Sequence, residues 1–109
     1  MIVNRPSIFI YTNNPNKDYL KQICAGIEEE GVFFEVYERD TEALDNLAYD
    51  AANDSMMGSG IGIYQNTVAL QMKGIQKGKN VDSYAAPTLE DCRRIGANSA
   101  RIIKKMALK

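Results

Sequence analysis

Three adjacent carboxylates, Glu28, Glu29 and Glu30, stand between Gly26 and Gly31 and are the residues of this chain best suited to ion chemistry. Carboxylates are hard oxygen donors, the kind that Mg2+ and Ca2+ take. Successive helical residues point about 100° apart, so the three cannot converge on one ion unaided. One or two could join a site that another molecule completes. Two readings stand: a solvated helix face, or charges whose partner this chain does not supply.

A second candidate is Gly58-Ser59-Gly60-Ile61-Gly62, which has the composition of a phosphate-binding loop. A dinucleotide fingerprint needs its glycines after a strand and opening a helix. Here they precede one strand pattern and a second follows, so tight turns and close backbone packing account for them better. The chain has no histidine. That removes Ser-His-Asp and Cys-His catalysis and the ordinary zinc sites. Cys24 and Cys92 lack Cys-x-x-Cys spacing and fall on apolar helix faces, as buried thiols do. A phospho-acceptor receiver would need acids at the ends of strands one and three. Those ends read Thr12-Asn13-Asn14 and Tyr64-Gln65-Asn66.

The elements that must position these residues follow from periodicity. Ser7 to Tyr11 is a nearly continuous apolar run, the mark of a strand covered on both faces. Asn14 is placed to cap a helix with Pro15 at its first position, and the helix runs to about Glu30. Leu20, Ile23, Cys24 and Ile27 form its buried stripe, Lys17, Lys21 and Glu28 its wet face, and Gly31 its left-handed stop. Val32–Glu38 reads as a second, buried strand. Thr41 is a cap for a second helix, with Glu42 and Asp45 in its first turn and Leu44, Leu47, Ala48, Ala51 and Ala52 on its buried face. After a loop from Asn53 to Gly60, Ile61–Tyr64 is a third strand.

Gln65-Asn66 is too short for a crossover. Thr67–Met72 then alternates with period two, so it is a strand with one wetter face, antiparallel to its predecessor. Lys73–Asn80 is a polar turn and Val81–Ala85 a short fifth strand. Thr88 caps a last helix, with Asp91 at its third position and Cys92, Ile95, Gly96, Ser99 and Ile103 inward. The order β-α-β-α-β-β-β-α predicts a mixed five-stranded α/β sheet with helices on both faces.

The chain's 109 residues fit one domain, residues 1–109, and 45% hydrophobic with 25% charged is ordinary for a soluble globular protein. A net charge of -1 offers no field for nucleic acid or membrane, and no apolar run approaches the roughly 20 residues of a membrane helix. No signal-peptide layout opens the chain, so a cytoplasmic location is expected. Charge is nonetheless uneven. Ten of the 14 acids lie between Glu28 and Asp54, where Arg39 is the only base, while Arg93, Arg94, Arg101, Lys104, Lys105 and Lys109 crowd the end. Two solvated helix faces, or docking surfaces for charged partners, would both produce this.

Several segments together resemble one family: Gly26–Gly31, Met57–Gly62, Asn66–Gly74, Lys79–Val81 and Asp91–Arg101. In this order and spacing they look like the small (beta) subunit of the diol/glycerol dehydratase reactivating factor, itself related to the medium subunit of adenosylcobalamin-dependent dehydratases. The resemblance runs from about Ser7 to Lys105. It departs at Phe33 and in the tail Lys105–Lys109, where proline is usual.

The resemblance implies a three-layer α/β/α fold like the anticodon-binding domain, with strand order 2-1-3-4-5 and strand 4 antiparallel. It implies a non-catalytic, chaperone-like subunit. A large ATPase subunit would bind and hydrolyse nucleotide, in a heterotetramer. This chain would mimic the dehydratase medium subunit and displace it from the dehydratase large subunit, so that damaged cobalamin can leave. Glu29 would reach a Mg2+ or Ca2+ shared with the large subunit, and this chain alone would bind neither nucleotide nor cobalamin. A homo-oligomer of the isolated chain, formed through the surface meant for its partner, is compatible with this, and the expected location is cytoplasmic, in association with a bacterial microcompartment. The alternative within the same resemblance is a medium-type structural subunit of a cobalamin-dependent dehydratase. A stand-alone nucleotide-binding or enzymatic α/β domain is the third reading.

Overall fold

In the strand Ser59–Tyr64 the side that carries Tyr64 is otherwise bare, with glycine at 60 and 62, and this sets the architecture around it. In the computed structural model, which describes residues 6–105, that strand is β3, third of five. The lead-in Met1–Pro6, apart from Pro6, and the tail beyond Lys105 lie outside the described residues. The chain runs β1 (Ile8–Asn13), α1 (Lys17–Glu29), β2 (Phe34–Glu38), α2 (Leu44–Asp54), β3, β4 (Thr67–Met72), β5 (Asp82–Ala85) and α3 (Leu89–Ile103). The strands lie in the order β2-β1-β3-β4-β5. β2 and β3 pair parallel with β1, and β4 pairs antiparallel with both β3 and β5. The expected topology and the hairpin are both present.

Helices α1 and α3 cover one face of the sheet. Ile8, Ile10, Ile61, Ile63, Val68 and Leu70 meet Ile23, Ile27, Cys92 and Ile95 there. α2 covers part of the other face, where Leu47 and Ala51 meet Tyr11. A Cβ on Gly60 would penetrate the Ala51–Ala52 backbone of α2, and one on Gly62 would lie 2.6 Å from the amide nitrogen of Ala48. Gly60 and Gly62 therefore serve close helix-on-strand packing and Gly58, at φ 71, a turn, the two uses expected of these glycines. The alanine stripe on α2 is the matching surface.

Four expectations are corrected. Asn14 does not cap α1; it sits at φ 46, and Asn16 caps instead, its Oδ1 accepting from the amides of Asp18 and Tyr19. Pro15 disfavours the α region for the residue before it, which displaces the helix start. α2 begins after Ala43 with no side-chain cap, so Thr41 has no such role. β4 has no wet face: Ala69 and Gln71 are fully buried, because α2 reaches across that side. The Gln71 amide donates to the Gln76 carbonyl at 3.2 Å, and its oxygen accepts from the Met72 amide at 2.9 Å. β2 is not buried but an exposed edge. Gly31 does stop α1 at φ 74, and Thr88 with Asp91 forms a reciprocal capping box on α3.

Candidate functional site

α1 ends on three acids and carries no base in its last turn. Carboxylates there oppose the negative end of the helix dipole. The compensation comes from α3, which lies alongside in the same direction: Ile23 meets Gly96, Gly26 meets Arg93 and Ala97, and Glu30 meets Arg101 and Lys104. Glycine permits this approach on both helices. A Cβ on Gly26 would lie 2.9 Å from the Ala97 amide nitrogen and closer still to the Arg93 carbonyl; one on Gly96 would collide with the Ile23 carbonyl. Because the helices run in parallel, both C-termini fall together. The cations at the end of α3 then complement two dipoles at once.

The three glutamates consequently have three fates. The Glu30 side chain is only 8% exposed. Its carboxylate accepts from Arg101 at 3.1 Å and lies 3.6 Å from Lys104, whose ammonium also donates to the Glu30 carbonyl at 2.6 Å. Glu29 is 53% exposed and accepts from the Arg93 guanidinium, which also donates to Gln22 at 3.0 Å. The bond it donates to Glu29 raises the pKa of that guanidinium above its ordinary value. Glu28 points to water. The expectation that the partner of this charge lies outside the chain is corrected for two of the three residues. Glu30 is neither a solvated charge nor one without a partner in the chain: it is a partly buried ion-pair centre.

The missed residues are thus Arg93, Arg101 and Lys104. The available signal was their common face on α3 together with the small pair Gly96-Ala97, which marks where another helix comes close. Among the described residues no three Asp, Glu, Cys or His side chains gather as a metal site. Glu29, half exposed at a helix end, could offer an outside ion one hard oxygen, as could the exposed Glu28 beside it. Glu29 fits as a single donor to a site completed elsewhere, on condition that it turns from Arg93. Both thiols are free, as expected. Burial pushes Cys92 and the partly buried Cys24 up to about 11, so neither is a nucleophile at neutral pH.

A second constellation lies on the other face, where α2 meets β1 and the side of β2 beyond it is left open. The Tyr37 ring packs edge-on against Phe9 (5.3 Å between centroids) and Tyr11 (6.0 Å). The Tyr11 hydroxyl donates to Asp54 at 2.5 Å, and the Arg39 guanidinium lies over the Tyr11 ring and 3.5 Å from Asp54. Burial, then the bond to Asp54, pushes the Tyr11 phenol up to about 12. On the α1 side of the same strands, a cleft of about 910 Å³ opens between Lys17, Leu20 and Lys21 of α1 and Val36, Glu38, Arg39 and Asp40.

The fold matches solved structures closely. A chain described as a glycerol dehydratase reactivase superposes with a TM-score of 0.90 at 21% identity, covering 96% of this chain and 97% of that one. A chain from a diol dehydratase-reactivating factor complexed with ADP and Mg2+ also gives 0.90 at 21% identity, covering 97% and 99%. At that identity these likenesses establish the three-layer fold. The family is established by sequence: a family model for the dehydratase medium subunit matches residues 5–109, and the chain belongs to that family.

Proposed function

We propose that this chain is the small, non-catalytic subunit of an ATP-dependent reactivase for an adenosylcobalamin-dependent diol or glycerol dehydratase. The observation that carries the reading is the correspondence with reactivase and reactivating-factor chains over nearly the whole length of both partners, within the medium-subunit family. In this reading the chain is one domain, residues 1–109. It takes the place of the medium subunit on the dehydratase large subunit, and damaged cobalamin leaves through the opening so made. Nucleotide is bound and hydrolysed by a large ATPase partner in a heterotetramer, in the cytoplasm and in association with a microcompartment. Among the described residues no helix is long and apolar enough to cross a membrane.

Glu29 is the residue proposed to contact Mg2+ or Ca2+ shared with that partner. ADP and Mg2+ in one reactivating-factor complex support a metal at such an assembly. What this chain contributes is one carboxylate oxygen, released by Arg93 and presented at the end of α1. The direct test is ATP-dependent recovery of a cobalamin-inactivated dehydratase by the large subunit with and without this chain. Recovery is expected only with it, and full rescue without it would sink the proposal. Glu29→Ala is expected to weaken assembly and lower the metal content of the complex; wild-type values for both would remove the metal role. The family model itself favours one second reading, a medium-type subunit of a dehydratase. Copurification separates the two: an ATPase in the first case, a cobalamin-bearing catalytic subunit in the second.

A further inference from the structure

β2 forms one margin of the sheet, and the direction of its backbone groups can be read from its ends. Phe33 accepts from the Ile8 amide at 2.9 Å, and the Arg39 amide donates to Thr12 at 2.8 Å. In a parallel ladder only alternate residues bond to a given neighbour. Residues 33, 35, 37 and 39 therefore serve β1, and the N–H and C=O groups of Phe34, Val36 and Glu38 face outward. An open edge is usually blunted by proline, lysine, a bulge or an inward charge. β2, Phe-Glu-Val-Tyr-Glu, has no proline and no lysine, and pairs with β1 over five residues in unbroken register. The opposite margin, β5, is four residues long.

The two sides of this edge differ in chemistry. On the α1 side, Val36 is 39% exposed and faces Leu20 across the cleft, where Lys17 and Lys21 stand against Glu38 and Asp40. Charges of both signs line the cleft, and Leu20, Pro15 and Val36 are its apolar residues beside Thr12, Asn13 and Asn14. On the α2 side, Tyr37 is 40% exposed beside exposed Glu35, whose carboxylate accepts from the Tyr37 hydroxyl at 2.8 Å. The sole base between Glu28 and Asp54, Arg39, is engaged with Tyr11 and Asp54. That side presents an aromatic ring and an acid with no cation to spare, which is what a lysine or arginine of a partner would meet.

We infer that the β2 edge is a strand-acceptor site for an extended segment of a partner protein that alternates apolar and basic residues. The segment adds its backbone to Phe34, Val36 and Glu38, lodges its apolar side chains between Val36 and Leu20, and lays its basic side chains over Tyr37 and Glu35. A second copy of this chain is a poor occupant. Edge-to-edge pairing would gather Glu38 and Asp40 of both protomers on one face and Glu35 of both on the other, acids near acids on each side, and like charges on neighbouring strands repel. The inference is independent of the reactivase reading, since it rests on this edge alone.

The test uses the full chain and two synthetic blocked hexapeptides, one alternating Val and Lys, the other Val and Glu. Backbone amide exchange by NMR is followed at Phe34, Val36 and Glu38. The Val-Lys peptide is expected to slow exchange at these three amides at least tenfold, with the effect reduced at high salt, and the Val-Glu peptide to leave them unchanged. Val36→Pro removes an outward N–H at a place where an edge strand tolerates proline, and is expected to abolish binding with the fold retained. Glu35→Lys, which leaves the edge backbone intact, is expected to weaken binding at least tenfold. Equal protection by both peptides, or no protection by either, overturns the inference. Protection that appears without peptide as concentration rises, with dimers in sedimentation, overturns it in favour of self-association.

Discussion

The acids of this protein divide into two regions that look alike in sequence and differ in the fold. Glu29 and Glu30, at the end of α1, are neutralised by Arg93, Arg101 and Lys104 of α3. Along β2 and into α2, Glu35, Glu38, Asp40, Glu42 and Asp50 are exposed and make no ion pair among the described residues. The triple glutamate draws the eye because it is contiguous and sits at the wrong end of a dipole. It is nonetheless the region the chain balances for itself. The scattered acids look bland and are the ones left over. Local density of charge does not say whether a charge is spare; the neighbouring helix does.

The sharpest way to break the comparison is to push α3 away from α1. Gly96→Ala would drive a methyl group into the Ile23 carbonyl, backbone against backbone, with no flexible side chain to yield. Overpacking of this kind costs about 3 kcal/mol. Urea unfolding is expected to show a large fall in midpoint, with the Glu30 pairs loosened. A change under about 0.5 kcal/mol would mean that the helices do not meet through their glycines.

Next comes Glu30→Ala, which leaves Arg101 and Lys104 facing each other over a carboxylate that is gone. A partly buried charge cluster stripped of one partner should cost about 1–2 kcal/mol. Glu30→Ala and Arg101→Ala combined should cost less than the sum of the two, since each removes the same contact. Full additivity in denaturant unfolding would show that Glu30 is not the centre of the cluster.

Much of the frame was legible. The strand count, the Gln65-Asn66 hairpin, the Thr88–Asp91 capping box and the stop at Gly31 each follow from neighbours within a few residues. The errors have a common cause in distance along the chain. Asn16 anchors the start of α1 through its amide to the Gln65 carbonyl and its side chain to Asn66, 50 residues away. Glu30 and Arg101 are 71 apart. β2 has the aromatic and β-branched composition of a buried strand, yet order 2-1-3-4-5 puts it at the margin. Composition announces a strand and is silent on its place in the sheet. The metal role of Glu29 belongs to the resemblance alone; its exposure, and the competition from Arg93, became visible only with α3 in position.

In the second region Asp54 is held by a phenol and a guanidinium together, and it offers a pH test. Asp54 holds the Tyr11 hydroxyl, and Tyr11→Phe should cost about 1 kcal/mol while freeing Arg39 from part of its network. In the folded protein the Tyr11 pKa is raised from 10.0 to about 12. The stability tied to it is fully present below pH 10, where both states hold the proton. It is lost between about 10 and 12, where the unfolded chain has released the proton and the folded one has not. Tyrosinate absorbance is expected to show one phenol titrating near 12, absent in Tyr11→Phe. Titration of Tyr11 near 10 would mean that neither burial nor Asp54 holds its proton.

The smallest effects bear most directly on the proposed assembly. Glu28 is exposed and makes no ion pair among the described residues, so Glu28→Ala should be neutral within about 0.3 kcal/mol. Glu29→Ala and Arg93→Ala break a pair in which both side chains are about half exposed, and should cost no more than about 0.5 kcal/mol each, less at high salt. Graded loss from Glu30 through Glu29 to Glu28 in one unfolding series would show that three adjacent, chemically identical residues are sorted by what α3 places against each. If Glu29→Ala cost more than about 1 kcal/mol, the Arg93 pair would be structural. Loss of partner binding in that variant could then be loss of fold. If the cost stays small, turning Glu29 outward costs the fold little, and its effect on assembly reads as contact with the partner.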